Sequence, residues 1–239
     1  MNHALYGVEM APFVATMFQT KNVFLRGLSD HFHFGQLHGE ILRYFGAVDG
    51  TRDNVDCLMN AKQNVLVYPG GAHEIMKATD IPNYTLMWKE RLGFARMAIK
   101  HGYPVIPCCS VGTEDMLTRS FDVHLGFIRK GLKIPVLGPV LPHHLQKVYF
   151  WVGAPIPTAQ YKGEYRNDAF AKQVRDQTKA AIEAGIREMQ EKQATDPNRY
   201  LLHHIGNAAK DMLASLWSSN QTKVDIPLEE QVPASKKSD

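Results

Sequence analysis

Two rhythms of apolar residues alternate along this chain. Residues 21–25, 65–68, 104–110 and 147–152 are short apolar runs rich in β-branched and aromatic side chains, and they read as strands. Between them, apolar positions recur at helical spacing. Residues 9–19 read as a helix. Leu37, Ile41, Leu42 and Phe45 share one face, and Val55, Leu58 and Met59 share another just ahead of the strand at 65–68. A helix over residues 90–101 turns Leu92, Ala95 and Ile99 inward. Two long helices follow. Phe170, Val174, Ala181, Ile186 and Met189 mark the first. Asp196 and Pro197 then read as an N-cap with proline in the first turn, ahead of a stripe of Leu201, Ile205, Ala208, Met212 and Leu216. From about residue 218 the composition turns polar, which predicts a disordered tail over 218–239 behind a domain of residues 1–217. Strands alternating with helices argue for an α/β fold with a mostly parallel central sheet flanked by helices.

Composition narrows the class. A chain of 239 residues, 44% of them apolar, fills the core of one large α/β domain. A net charge of +3 is too small to call for nucleic acid. Cys57, Cys108 and Cys109 make no disulfide framework and read as buried thiols of a reducing, intracellular compartment. No apolar run reaches the ~18–20 residues of a membrane-spanning helix, and no signal peptide is visible, so the chain reads as soluble or peripheral.

One segment departs from this pattern. Residues 118–148 mix apolar positions with Arg119, Arg129, Lys130, Lys133 and Lys147 against the single acid Asp122, so the net charge of this stretch exceeds that of the whole chain. An apolar and basic surface suits an anionic membrane, which Arg129, Lys130 and Lys133 would meet. An ordinary loop and strand with solvated charges explains the same composition equally well.

The strand at 65–68 runs into Pro69, Gly70 and Gly71, a turn almost bare of side chains that lets another molecule approach the backbone N–H groups. His73 and Glu74 follow at once. Near the start, His3 and Glu9 flank Gly7. A carboxylate in the first turn of the helix can orient an imidazole whose other nitrogen accepts a proton from an alcohol. There is no Gly-x-Ser-x-Gly elbow, phosphate loop or dinucleotide fingerprint. His31, His33 and His38 have weak ligand spacing, and no metal site is expected from them.

Taken together, these motifs resemble the glycerolipid acyltransferase superfamily, and within it the branch of diacylglycerol acyltransferase-like proteins and the acyltransferase half of plant phytyl ester synthases. The resemblance runs through Asn2-His3-Ala4-Leu5-Tyr6-Gly7-Val8-Glu9-Met10, Tyr68-Pro69-Gly70-Gly71-Ala72-His73-Glu74, residues 88–98 with 104–107, residues 152–156 and residues 196–200, and covers about residues 2–205. It implies a three-layer, acyltransferase-like domain. The implied reaction moves a fatty acyl group from acyl-coenzyme A or acyl carrier protein to a neutral lipid alcohol at a membrane surface. His3 would be the base, Glu9 its orienting carboxylate, and Gly70, Gly71, His73 and Glu74 the substrate-binding turn, with no cofactor beyond the acyl donor. A thioesterase or lipid hydrolase, or a non-catalytic lipid-binding remnant, would use the same residues.

The departures from the family pattern carry their own expectations. The broad superfamily has an aspartate five residues after its histidine, where this chain has Val8, and Glu9 follows. In Phe-Pro-Glu-Gly-Thr-Arg, the superfamily's phosphate-recognising motif, the glutamate and arginine positions fall on Gly70 and His73. The loss of a guanidinium there favours a neutral acceptor. Relatives also lead into the histidine motif with a β-strand, whereas here that motif starts at residue 2.

Overall fold

A computed structural model describes residues 1–4, 7–31, 34, 38–117, 119–124, 133–139 and 144–221. Helices and strands alternate through most of this length, an α/β arrangement.

Helix α1 (Met10–Lys21) outruns its expected end, and Asn22 stops it. Asn22 takes a left-handed φ of 52° and donates its N–H to the Phe18 carbonyl, while the Val23 N–H returns to that of Met17. The strand expected at 21–25 therefore starts later, as β1 (Leu25–Ser29). After α2 (His38–Tyr44) come β2 (Val48–Asp49), α3 (Arg52–Asn60) and β3 (Asn64–Leu66). The Thr51 hydroxyl accepts the Asn54 N–H and caps α3. These strands form a parallel sheet in the order β2-β1-β3, with Leu28 opposite Val48 and Gly27 opposite Leu66. The apolar face expected around α2 is not buried: Ile41 and Phe45 are exposed, and Leu37 lies outside the described residues.

The turn element α4 (Ala72–Ile75) follows β3, and α5 (Gly93–His101) comes next, beginning three residues after the expected 90. The strand read at 104–110 is regular only as β4 (Cys108–Val111). Pro104 and Pro107 have no N–H for a ladder, and Val105 makes an isolated bridge to Ile156. Beyond α6 (Thr113–Met116) lie β5 (Arg119–His124), β6 (Lys133–Leu137) and β7 (Tyr149–Val152). Strand β4 pairs antiparallel with β7, and β5 antiparallel with β6. The expectation of one mostly parallel central sheet is thus corrected. The described strands form three short sheets, of which only the first is parallel.

The 28-residue helix α7 (Asp168–Thr195) closes the core. Ile182, Ile186 and Met189 pack with Tyr84, Trp88, Cys109, Val111 and Tyr149. Ala171 and Val174 pack with Leu92, at the N-cap of α5, and with Ala95 and Ile99 within it, which face inward as their spacing predicts. The last helix, α8 (Leu201–Gln221), begins later than Pro197 and runs past residue 218. Asp196 caps the end of α7 instead: its carboxylate accepts from Lys147, Tyr149 and the Asn198 N–H, which turns the chain away from helix. The apolar stripe of α8 is exposed from Leu201 to Leu216. Residues 222–239 lie outside the described part.

Of the thiols, Cys109 is buried and Cys108 half-buried, while Cys57 is exposed, contrary to expectation. Burial pushes the Cys109 thiol up to about 12. No helix among the described residues is long and apolar enough to cross a membrane.

Candidate active site

Residues 1–4 lie between β3 and β4. The Met1 amine donates to the Val67 carbonyl at 3.1 Å. The Asn2 carboxamide donates to the Ser110 carbonyl at 3.0 Å and accepts the Ser110 N–H at 2.9 Å, as a neighbouring strand would. His3 is thereby fixed in the interior. Its ring stacks on Tyr68 with centroids 4.0 Å apart, and its Nδ1 lies 2.6 Å from Glu9 Oε1. Both partners are buried.

The short loop between them explains why this pair forms. Gly7 donates its N–H to the Ala4 carbonyl and holds a φ of +68°, which bends the chain back on itself. A Cβ there would lie 3.0 Å from His3 Cε1. Glu9 sits at the N-cap of α1, so its carboxylate returns to the imidazole. As a carboxylate, Glu9 accepts the Nδ1–H hydrogen bond, which leaves Nε2 as the acceptor of a neutral ring. The second Glu9 oxygen and the Tyr68 hydroxyl are buried with no hydrogen-bond partner among the described residues. Burial and the Glu9 charge keep the Tyr68 phenol far above its ordinary range, so it stays a proton donor at neutral pH.

The glycine turn supports the ring from below. Gly71 closes it with an N–H to the Tyr68 carbonyl at 3.0 Å and has backbone angles (φ 51°, ψ −142°) that suit glycine alone. Because that N–H is occupied, the Gly70 amide is the one available for an anion: among the described residues nothing accepts from it. A Cβ on Gly70 would fall 2.0 Å from Glu74 Cδ. Glu74, read from the sequence as substrate-binding, is turned inward and buried. It accepts the His3 N–H at 3.0 Å and the Met87 N–H at 2.7 Å, so in this structure it braces His3. Burial raises its pKa, opposed by those two donors.

His73 points to the other side of the turn, where Lys89 Nζ lies 3.2 Å from its Nε2. Arg91 lies across the same side, with Nη1 donating to the Pro69 and Gly70 carbonyls at 2.8 Å each. A guanidinium thus stands against the glycine turn after all, supplied eighteen residues beyond position 73 by the matched segment 88–98, to which no site role was assigned. Asn2, Tyr68 and Arg91 are the residues that sequence reasoning passed over. Further along, buried Lys77 donates to Glu114 at 2.9 Å, and the same carboxylate accepts the Tyr84 N–H, which ties residues 77–84 to α6.

Other candidates fall elsewhere. Arg129 and Lys130 are outside the described residues, and Lys133 stands opposite His124 at the start of β6. Two further cations of that segment are engaged by protein: Arg119 by the Ala78 carbonyl and Asn83, Lys147 by Asp196. His31 pairs with Asp49, which raises its pKa, and His33 is outside the described residues. A cavity of about 880 Å³ lies between α1, β3, α5 and residues 104–108, with Met1, Phe13, Leu66, Pro69, Phe94 and Cys108 in its wall but neither His3 nor Glu9.

A buried histidine hydrogen-bonded to a carboxylate beside a glycine turn is an arrangement that can take a proton from a hydroxyl. Comparison with known proteins agrees: the chain belongs to the diacylglycerol acyltransferase family, whose sequence model matches residues 6–130. It is 28% identical to phytyl ester synthase 2, chloroplastic, of Arabidopsis thaliana, over 94% of this chain and 36% of that protein. It is 25% identical to the human DGAT1/2-independent enzyme synthesizing storage lipids, over 77% of this chain and 54% of that protein. With human acyl-CoA wax alcohol acyltransferase 2 it shares 34% identity over 36% of this chain and 26% of that protein. The chain therefore spans about a third to a half of the length of the plant and storage-lipid relatives. No solved structure matches it significantly.

Proposed function

We propose that this domain transfers a fatty acyl group from acyl-coenzyme A or acyl carrier protein to the hydroxyl of a neutral lipid alcohol. The observation that carries the reading is the buried His3–Glu9 pair stacked on Tyr68. His3 Nε2 removes the alcohol proton as the oxygen attacks the thioester carbon. Glu9 holds the resulting imidazolium. The Gly70 amide donates to the oxyanion of the tetrahedral intermediate. Collapse expels the thiolate, which takes the proton back from His3, and the ester leaves. The apolar cavity beside Met1 and Pro69 suits a lipid chain.

The reading carries with it a three-layer, acyltransferase-like packing. Its support is that each parallel or core sheet has a helix against it: α1 on β1, α3 on β3, α7 on β4 and β7. Work at a membrane surface belongs to the same proposal, and the exposed Phe121 and Val123 of β5 are its support. The test is turnover with diacylglycerol, monoacylglycerol or a long-chain isoprenoid alcohol against lysophosphatidate and glycerol 3-phosphate. Ester product that depends on a neutral alcohol supports acyl transfer. Free fatty acid released without any alcohol points to a hydrolase, and a wide preference for a phosphorylated acceptor defeats the proposed acceptor class.

A further inference from the structure

Away from the dyad, large apolar side chains stand in solvent where the end of α1, the lead-in to β1 and helix α2 meet. Tyr44 is 85% exposed, Phe45 70%, Ile41 59%, Phe18 53% and Phe24 41%. Contacts join them into one patch. Phe18 meets Phe24 edge-on with ring centroids 6.3 Å apart, and Tyr44 meets Phe45 in the same way at 5.4 Å. Gly46 links the two pairs: a Cβ there would lie 2.8 Å from Phe24 Cζ, so the missing side chain lets the end of α2 close against that ring. Ile41 sits one turn before Phe45 and accepts its N–H at 3.2 Å. Cations flank the patch. Lys21 lies one turn beyond Phe18, the Arg26 guanidinium stands 4.7 Å from the Phe24 ring centroid, and Arg43 precedes Tyr44. The acid of α2, Glu40, is already paired with Arg43. Apolar surface left in water forgoes the gain of burial in proportion to its area, and a contiguous aromatic patch of this kind marks a surface that another phase or molecule covers.

We propose that this patch, centred on Phe24, Tyr44 and Phe45, is where the domain sits on a lipid surface, with Lys21, Arg26 and Arg43 meeting anionic headgroups. The proposal rests on the acyl-transfer reading, because a neutral lipid alcohol has to be taken out of a lipid phase. Chemistry favours lipid as the occupant: rings interleaved with cations match the boundary between acyl chains and headgroups. A symmetric pair of copies would instead bring the same cations face to face. Position favours it as well. Phe13 and Met17 of α1, with Val23 and Leu25 on either side of Phe24, line the cavity of about 880 Å³, so the patch adjoins the space that suits a lipid chain. The other exposed apolar surfaces lack this continuity, since neither β5 nor α8 contributes to the cavity wall. In α8, moreover, Lys210 is followed by Asp211, and the two charges cancel.

The experiment is co-sedimentation of the full chain with vesicles of phosphatidylcholine alone and of phosphatidylcholine mixed with phosphatidylglycerol. Melting temperatures and sedimentation velocity without lipid are recorded for each variant. The wild type should bind both vesicles, the mixed ones more tightly. Tyr44→Ser combined with Phe45→Ser should weaken both by at least roughly tenfold, with the melting temperature unchanged because both side chains are exposed. Lys21→Gln combined with Arg43→Gln should keep the binding to phosphatidylcholine and lose the preference for the mixed vesicles, and high salt should do the same to the wild type. Phe121→Ser on β5 and Leu213→Ser on α8 should each cost only a fraction of the aromatic loss. Equal vesicle binding by wild type and the aromatic variant overturns the proposal. A larger loss in Phe121→Ser or Leu213→Ser overturns it too, by moving the docking surface elsewhere. So does a dimer in the absence of lipid that the aromatic variant dissolves, which would make a second copy the occupant. Turnover enters none of these measurements: loss of the docking surface leaves the acyl-transfer reading standing, and a protein that docks through the patch yet forms no ester defeats that reading alone.

Discussion

The two faces of the glycine turn are built in opposite ways from a few consecutive residues. On the inner face, His3, Glu9 and Glu74 are buried and held by short, directed hydrogen bonds to one another and to the Met87 N–H, with the His3 ring stacked on Tyr68. On the outer face, Arg91 and Lys89 are exposed and cationic, anchored by backbone carbonyls. Charge in the interior is strong and costly, so it is paired and fixed in direction. Charge at the rim is screened by solvent. One turn thus separates a buried, paired set of ionisable groups from an exposed cationic rim.

The largest effect should come from breaking the inner face at its centre. His3→Ala should reduce acyl transfer by ~1,000-fold or more, measured as ester formed from labelled acyl donor. Glu74→Ala sharpens the claim that Glu74 is a brace. It leaves the buried N–H groups of His3 and Met87 unpaired, and should cost ~2–3 kcal/mol in a denaturant titration together with a clear drop in turnover. Gly7→Ala should be milder: a left-handed φ costs a non-glycine residue ~1–2 kcal/mol, and the new methyl presses on the His3 ring.

The smallest effect lies far from both faces and serves as their control. The Tyr149 hydroxyl, with Lys147 and the Asn198 N–H, lowers Asp196 to about 2 from an ordinary 3.8. A carboxylate depressed in the folded state adds stability that is present above 3.8 and is lost as pH falls toward 2. Asp196→Asn should therefore flatten the fall in melting temperature between pH 4 and pH 2, with turnover near neutral pH unchanged.

How much of this was legible in the sequence differs from residue to residue. His3 and Glu9 are six positions apart, and a turn between them puts a carboxylate within reach of the ring, so a local reading suffices. Arg91 is far from Gly70 in sequence and becomes visible only when the chain folds back. Asn2 imitates a strand partner for β4 through its side chain, which no strand pattern encodes. The helices α7 and α8 make the same point. Both carry an apolar stripe at helical spacing, yet α7 buries its stripe against β4 and β7 while that of α8 stays exposed. Periodicity identifies a face and leaves its partner unnamed. The single parallel sheet failed for a comparable reason, since Pro104 and Pro107 interrupt a run whose composition is otherwise that of a strand.

The central claim is that His3 and Glu9 act as one unit, and a double-mutant cycle in turnover tests it most directly. Transfer to the preferred alcohol would be measured for wild type, Glu9→Gln, His3→Ala and the combined variant. Glu9→Gln alone should cost ~10- to 100-fold, because the imidazole survives without its oriented charge. If the carboxylate acts only through the ring, the combined variant should be no slower than His3→Ala. Losses that multiply, with the combined variant slower again by the full Glu9→Gln factor, would contradict the dyad and assign the two residues separate roles.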